Sequence, residues 1–188
     1  MHTESDHELA LRAKSGDESA FNELMRRHYK GILNFVYKFT YKADICEDLT
    51  QEVFLRVYKS INTYEPQAKF STWLYKIATN LCLTNLKKKN LNISLDEIRE
   101  NIGDLEDVKS ENAQILMQRK QLNDRVLKAI STLPEKERLA ITLCKYQGLS
   151  YLEVSEALNC SVGAVKTHIF RGRSKLIGIL KPHIDEIN

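Results

Sequence analysis

The residues best suited to recognising a polyanion lie near the C-terminal end of the sequence. Between residues 162 and 181 stand Lys166, Arg171, Arg173, Lys175 and Lys181, with no acidic residue among them. Wound as a helix, this stretch puts Val162, Val165, Ile169, Leu176 and Leu180 on one stripe that expects burial. The opposite side presents Gly163, Ala164, Thr167, Arg171, Ser174 and Lys175, with Lys166 and Phe170 on one rim and His168 on the other. Small residues near the start of such a helix permit close approach to a groove. Thr, Lys and Arg beyond them can reach base edges or phosphates, and the helix N-terminus itself favours a phosphate. The plainer alternative is an amphipathic surface helix with a solvated basic face.

Two further constellations lie in the N-terminal half. In residues 44–61 the stripe Cys46, Leu49, Val53, Val57 and Ile61 expects burial, yet Leu55 sits on the reverse face among Asp44, Asp48, Gln51 and Tyr58. An apolar side chain ringed by acids and an amide on the solvent side fits a partner-binding face. A stray exposed leucine fits the same residues. The second constellation is the loop Tyr64-Glu65-Pro66-Gln67-Ala68-Lys69-Phe70 and the helix after it, which places Thr72, Lys76, Thr79, Asn80, Leu83 and Lys87 along one side. Aromatic and amide groups beside lysines suit unstacked single-strand bases. Phe70, Trp73 and Tyr75 read equally as core residues.

Nothing in the sequence forms a catalytic constellation. His2, His7, His28, His168 and His183 lack metal-ligand spacing, and there is no glycine-rich phosphate loop or nucleophile elbow. Neither a cofactor nor a metal site is expected. Cys46, Cys82, Cys144 and Cys160 are far apart without a C-x-x-C pair and read as reduced thiols of a cytoplasmic protein. The N-terminus is acidic with no apolar run behind it, so no secretory signal is expected. No stretch approaches the ~20 apolar residues of a membrane span.

The elements that must position these groups read as helices throughout. Only 3 prolines and 7 glycines interrupt the 188 residues. Ser5 with Glu8 has capping-box spacing for a helix to about Ser15, stopped by Gly16. Asp17 can cap a second helix through Val36, and Asp44 a third to about Ile61. A loop around Pro66 precedes a fourth helix capped by Ser71, and a fifth covers roughly 111–131. Pro134 suits the first turn of a sixth helix, which Gly148 ends. Ser150 with Glu153 forms a second capping box, and Asn159 can take the left-handed conformation that closes that short helix. Ser161 caps the last helix, expected to stop before Pro182. No strand is convincing, so the expected fold is all-α, with a helix-turn-helix from Ser150 to about Leu180.

Charge divides the chain. The whole carries 28 Lys+Arg against 25 Asp+Glu, but residues 91–112 hold 7 acidic residues and 2 basic ones between two mildly basic blocks. Two small helical domains, 1–90 and 113–188, joined by a flexible acidic linker at 91–112, account for this pattern.

Two sets of residues resemble a known family. Asp44-Ile45-Cys46-Glu47-Asp48-Leu49-Thr50-Gln51-Glu52-Val53-Phe54-Leu55-Arg56-Val57-Tyr58 and Phe70-Ser71-Thr72-Trp73-Leu74-Tyr75-Lys76-Ile77-Ala78-Thr79-Asn80 look like the N-terminal domain of extracytoplasmic-function (ECF) sigma factors. Leu133-Pro134-Glu135-Lys136-Glu137-Arg138, Gly148-Leu149-Ser150-Tyr151 and Ser161 to Thr167, with Arg171-Gly172-Arg173, resemble their C-terminal domain. The resemblance implies a bacterial transcription initiation factor without enzymatic activity. It implies that Asp48, Gln51, Glu52 and Leu55 dock on core RNA polymerase. Tyr64, Lys69, Phe70, Trp73, Lys76, Asn80 and Lys87 would hold and help open the minus-ten element, in duplex and then single-stranded form. Gly163, Lys166, Thr167, Phe170, Arg171 and Lys175 would read the minus-thirty-five element in the major groove. The connector would thread toward the polymerase active-site channel and RNA exit path, and an anti-sigma factor is an expected partner. The chain departs from the pattern at Thr84, where many members have Asp, at His168, where Arg is common, and at Lys87-Lys88-Lys89, where Arg is frequent. The competing function is a helix-turn-helix regulator acting without polymerase. It would use residues 134–180 and leave the motifs at 44–80 idle.

Overall fold

The computed structural model describes residues 4–90 and 113–185, without the side chains of 87–90, 113–120 and 182–185. The connector expectation at 91–112 lies outside the described residues. Every regular element among the described residues is helical. In order they are α1 (Asp6–Lys14), α2 (Glu18–Thr40), α3 (Cys46–Ser60), a 3-10 turn (Ile61–Thr63), α4 (Phe70–Asn90), α5 (Ala113–Ser131), α6 (Glu135–Ile141), a π-helical turn (Thr142–Tyr146), α7 (Tyr151–Ala157) and α8 (Val162–Asp185).

Local chemistry sets most of the boundaries. The Ser5 hydroxyl accepts from the Glu8 amide while the Glu8 carboxylate accepts from the Ser5 amide, closing the box that opens α1. Asp17 accepts from the amides of Ser19 and Ala20 at the start of α2. Ser150 and Glu153 form the same reciprocal box at α7. Asn159 is left-handed at φ 49°, and the Ser161 hydroxyl accepts from Ala164 N at 3.1 Å to start α8.

Four boundaries differ from those read in the sequence. Asp44 does not cap α3; Ile45 stands at that position with no side-chain bond. The turn is tied instead by the Cys46 thiol, which donates to the Lys42 carbonyl at 2.7 Å. Ser71 does not cap α4, because helical geometry begins one residue earlier, where Phe70 turns its ring into the core. The sixth helix gives way at Thr142 to a wide π turn, closed by Gly148 at φ +69°. Helix α8 continues through Pro182 to Asp185. A proline removes one backbone donor, and the turns on either side still close.

The core of the N-terminal helices gathers Leu24, Phe35, Phe39, Val53, Val57, Leu74 and Ala78. It is continuous with buried side chains of the C-terminal helices, including Leu139, Leu143, Leu149, Val154, Val165 and Ile169. Helix α4 packs against α7, and α2 packs against α5 and the π turn. In α8 the buried stripe is narrower than expected. Val165 and Ile169 are buried, whereas Val162, Leu176 and Leu180 are only partly so. Gly172 takes the next buried place, because α8 there runs so close to α6 that an added Cβ would stand 2.5 Å from Ile141 Cδ1.

Candidate nucleic-acid and partner interfaces

Helix α3 buries Cys46, Leu49, Val53 and Val57, together with Phe54. Its outer face carries Leu55, 46% exposed, and the exposed Tyr58. Asp48 and Gln51 are also exposed on this helix, and Glu52 is half-buried and paired with Arg56, Oε1 to Nε at 2.8 Å. The four residues expected to meet a protein partner thus lie on one helix with an apolar centre and polar surroundings. That arrangement excludes water at the centre of a contact while keeping the free surface soluble.

The loop before α4 is braced from within. Tyr64 is fully buried and its hydroxyl donates across the loop to the Ala68 carbonyl at 2.8 Å. Phe70, 3% exposed, and Trp73 close an aromatic cluster with Tyr64, at ring separations of 5.5–5.8 Å. Burial raises the Tyr64 hydroxyl above its usual pKa, keeping it a neutral donor. From α1, Lys14 Nζ donates to the Tyr64 carbonyl at 3.0 Å. Tyr64 and Phe70 are therefore core residues in this conformation, and the expectation that their rings face a base does not hold here. Edge-to-face packing satisfies both rings. The solvent side of the loop comes from Glu65, Pro66, Gln67 and Lys69.

On α4 the structure splits the side read from sequence. Lys76 and Asn80 are exposed, Leu83 is partly covered, and Thr72 and Thr79 are buried. The side chain of Lys87 lies outside the described residues. Lys69 reaches across to α7, with Nζ 2.9 Å from Glu153 Oε1. Glu153 also accepts the Ser150 bonds of the capping box, and these together with Lys69 hold its carboxyl down at about 2.

Helix α7, the turn at 158–161 and α8 form the expected helix-turn-helix. Gly163, Lys166, Thr167, Phe170 and Arg171 are exposed along α8, with Arg173 beside them. Phe170 is the most exposed of the large apolar side chains. The Thr167 hydroxyl bonds back to the Gly163 carbonyl at 3.0 Å. Lys175 departs from the sequence reading. Its ammonium turns inward to Glu137, 3.0 Å from the carboxylate, because that buried carboxylate requires a counter-charge.

Sequence reasoning missed Lys14, Tyr75, Arg138, Gln147 and Glu153 as contributors here. Tyr75 Oη donates to Gln147 Oε1 at 2.6 Å, and Arg138 Nη1 donates to the Phe39 carbonyl at 2.6 Å with its guanidinium 5.0 Å from the Phe39 ring. Arg138 closes the Leu133–Arg138 motif, which was a signal; the partners, 72 and 99 residues away, leave no mark in a local pattern. Among the described residues no cluster of His, Cys, Asp or Glu could hold a metal, and no helix is long and apolar enough to cross a membrane.

The architecture defines an all-helical protein that ends in a helix-turn-helix. Residues 24–91 match the family model of Sigma-70 region 2, and residues 123–176 match that of Sigma-70, region 4. The chain is 32% identical over 187 residues to the ECF RNA polymerase sigma-E factor of Escherichia coli K12, covering 96% of each. Among solved structures it resembles CnrH in complex with the cytosolic domain of CnrY, with a TM-score of 0.73, 24% identity and coverage of 95% of this chain and 99% of that one. It also resembles the sigma factor RpoE in complex with the anti-sigma factor NepR from Bartonella quintana, with a TM-score of 0.69, 20% identity and coverage of 86% and 96%. The chain belongs to the sigma-70 family, among its ECF RNA polymerase sigma factors. It is a transcription initiation factor that directs RNA polymerase to promoters.

Proposed function

We propose that the chain divides this task among three surfaces. The α3 face around Asp48, Gln51, Glu52 and Leu55 docks on core polymerase. The 64–70 loop and the exposed Lys76 and Asn80 of α4, with Lys87 beyond them, capture the minus-ten strand as it separates. Helix α8 reads the minus-thirty-five duplex with Lys166, Thr167, Phe170 and Arg171, entering the groove over Gly163. Residues 1–90 and 113–188 act as the two working domains and 91–112 as their connector. The protein works in the cytoplasm, carries out no catalysis of its own and is held in reserve by an anti-sigma factor.

The observation that carries this reading is Leu55. Leu55, with the exposed Asp48 and Gln51 near it, leaves much of an apolar side chain in solvent on a helix whose other apolar residues are buried save Tyr58. A regulator acting without polymerase has no use for it. The test is capture of core RNA polymerase by the full chain. Gln51→Ala with Leu55→Ala should weaken capture while helicity stays unchanged. Undiminished capture by the folded double variant would remove α3 from the docking role.

A further inference from the structure

Helix α1 belongs to none of the three surfaces assigned above, yet both of its ends are tied to the surroundings of the 64–70 loop. In its last turn, Lys14 Nζ donates to the Tyr64 carbonyl at 3.0 Å, across 50 residues of sequence. At its start, Asp6 accepts from Arg27 Nη1 at 3.0 Å and lies 2.7 Å from His28 Nε2, and the His28 ring stands 5.4 Å from that of Phe70. Leu9, Ala10 and Ala13 bury the face between these ends. Of the two cations near the end of α1, Arg12 is held by Glu4 and Asp17, at 2.7 and 2.6 Å, while Lys14 reaches the loop. The loop is itself a set of closed bonds. Tyr64 Oη donates to the Ala68 carbonyl at 2.8 Å, Ala68 N to the Glu65 carbonyl at 3.2 Å, and Trp73 N to the Lys69 carbonyl at 3.2 Å. Lys14 adds a bond at the carbonyl where the loop begins. The tip, Glu65, Pro66 and Gln67, stays open to solvent.

We propose that α1 is a splint for this loop and that Lys14 is a positioning residue for strand capture, holding the 64–70 backbone through the Tyr64 carbonyl in the conformation that accepts an unstacked base. The inference rests on the capture role proposed above for the loop. Because the rings of Tyr64 and Phe70 are buried, the loop meets a base through its tip and its backbone. Such a surface binds well only if its shape is fixed beforehand. An ammonium on a carbonyl is a charge-assisted bond, stronger than the neutral bonds within the loop. It comes from a helix that has its own cap and its own buried face. Lys14 is exposed, so its truncation takes little from folding. Its effect falls instead on which loop conformation prevails, and a site populated part of the time binds correspondingly more weakly.

The experiment uses the full chain bound to core RNA polymerase and a pool of randomised single-stranded DNA, sequencing the fraction retained. Lys14→Met keeps the apolar stem and removes the donor. It should lower the preference at one base position about tenfold, the loss expected when a held conformation falls to a tenth of the population, and leave the other positions in place. Lys14→Arg, which keeps a cationic donor, should restore that preference. Amide exchange on the same variants should be faster at Ala68 in Lys14→Met and return to the wild-type rate in Lys14→Arg. A wild-type base preference or wild-type Ala68 exchange in folded Lys14→Met overturns the splint, as does a loss that Lys14→Arg leaves in place. A loss spread evenly over all sequences, with a salt slope shallower by about one unit, also overturns it, because Lys14 then holds a phosphate directly. Gln67→Ala, at the loop tip, separates this inference from the reading beneath it. Base preferences that ignore both Gln67→Ala and Lys14→Met remove the loop from strand capture, and the splint with it. Preferences that respond to Gln67→Ala alone overturn the splint and leave the capture role standing. If circular dichroism shows Lys14→Met unfolded, Lys14→Gln takes its place and the same outcomes decide.

Discussion

Glu153 shows how much one side chain can be asked to do. It closes the capping box of α7 and receives Lys69 from the loop before α4, and both favour its charged form. A carboxyl held down at about 2, against an ordinary 4.5, contributes stability that is fully present above the ordinary value. That contribution is lost as the pH falls from about 4.5 through about 2. Glu153→Gln should therefore lower stability near neutral pH, where the charged form contributes, and flatten the acid limb of the unfolding curve in that window, read by urea titration at a series of pH values. Gly172 makes the opposite kind of demand, since a side chain at its crossing with α6 forces Ile141 to move. Gly172→Ala places a Cβ 2.5 Å from Ile141 Cδ1 and should cost about 1–3 kcal/mol of stability. Gly178→Ala, with nothing within 4 Å, should be neutral or stabilising, and a denaturant melt of each separates the two.

At the scale of the element, the helices themselves were legible in the sequence, but their exact starts were legible only where a side-chain cap sets them and not where tertiary packing does. Ser5, Asp17 and Ser150 announce α1, α2 and α7 because each donor and acceptor lies within three residues. Asp44 and Ser71 have the right residue types, yet α3 and α4 start where Cys46 and Phe70 reach the core, which no local signal encodes. The candidate faces divide the same way. The exposed Leu55 on α3 and the exposed basic residues of α8 follow from helical spacing alone. Lys175 passes every sequence criterion for a DNA contact and is claimed instead by a carboxylate 38 residues earlier. This difference gives α8 its own test on the full chain bound to core polymerase. If Arg171 makes a bidentate guanine contact, Arg171→Ala should cost ~1–3 kcal/mol and relax preference at one base pair. Lys166→Ala should weaken promoter and scrambled duplexes alike and make the salt slope shallower by about one unit. Lys175→Ala should act on stability, because it strands the buried Glu137, and a salt slope as changed as that of Lys166→Ala would contradict its inward assignment.

On the scale of the whole molecule, the halves that the charge pattern separates share one core in the described conformation, and the bridges across it connect residues far apart in sequence. Composition and motif order point to two helical halves; their mutual docking depends on Arg138, whose motif gives no hint of its partner, and on Gln147, which reads locally as an ordinary surface residue. Arg138 in particular is drawn out of water, which lowers its pKa, yet it stays fixed on the Phe39 carbonyl and ring. Arg138→Ala should therefore loosen the docking of α6 on α2, read as faster amide exchange at both helices. Lys136→Ala, at an exposed position of the same helix, should leave that exchange unaltered. The central claim is that this chain gives core RNA polymerase its choice of promoter. The most direct measurement is transcription in vitro by core polymerase on fragmented bacterial genomic DNA, with and without the protein, reading the first nucleotide of every transcript. Addition of the chain should concentrate initiation at a limited set of positions that share two sequence elements upstream, and Leu55→Ala with Gln51→Ala should disperse it again. Start sites unchanged from core polymerase alone, with the chain folded and in excess, would contradict the account.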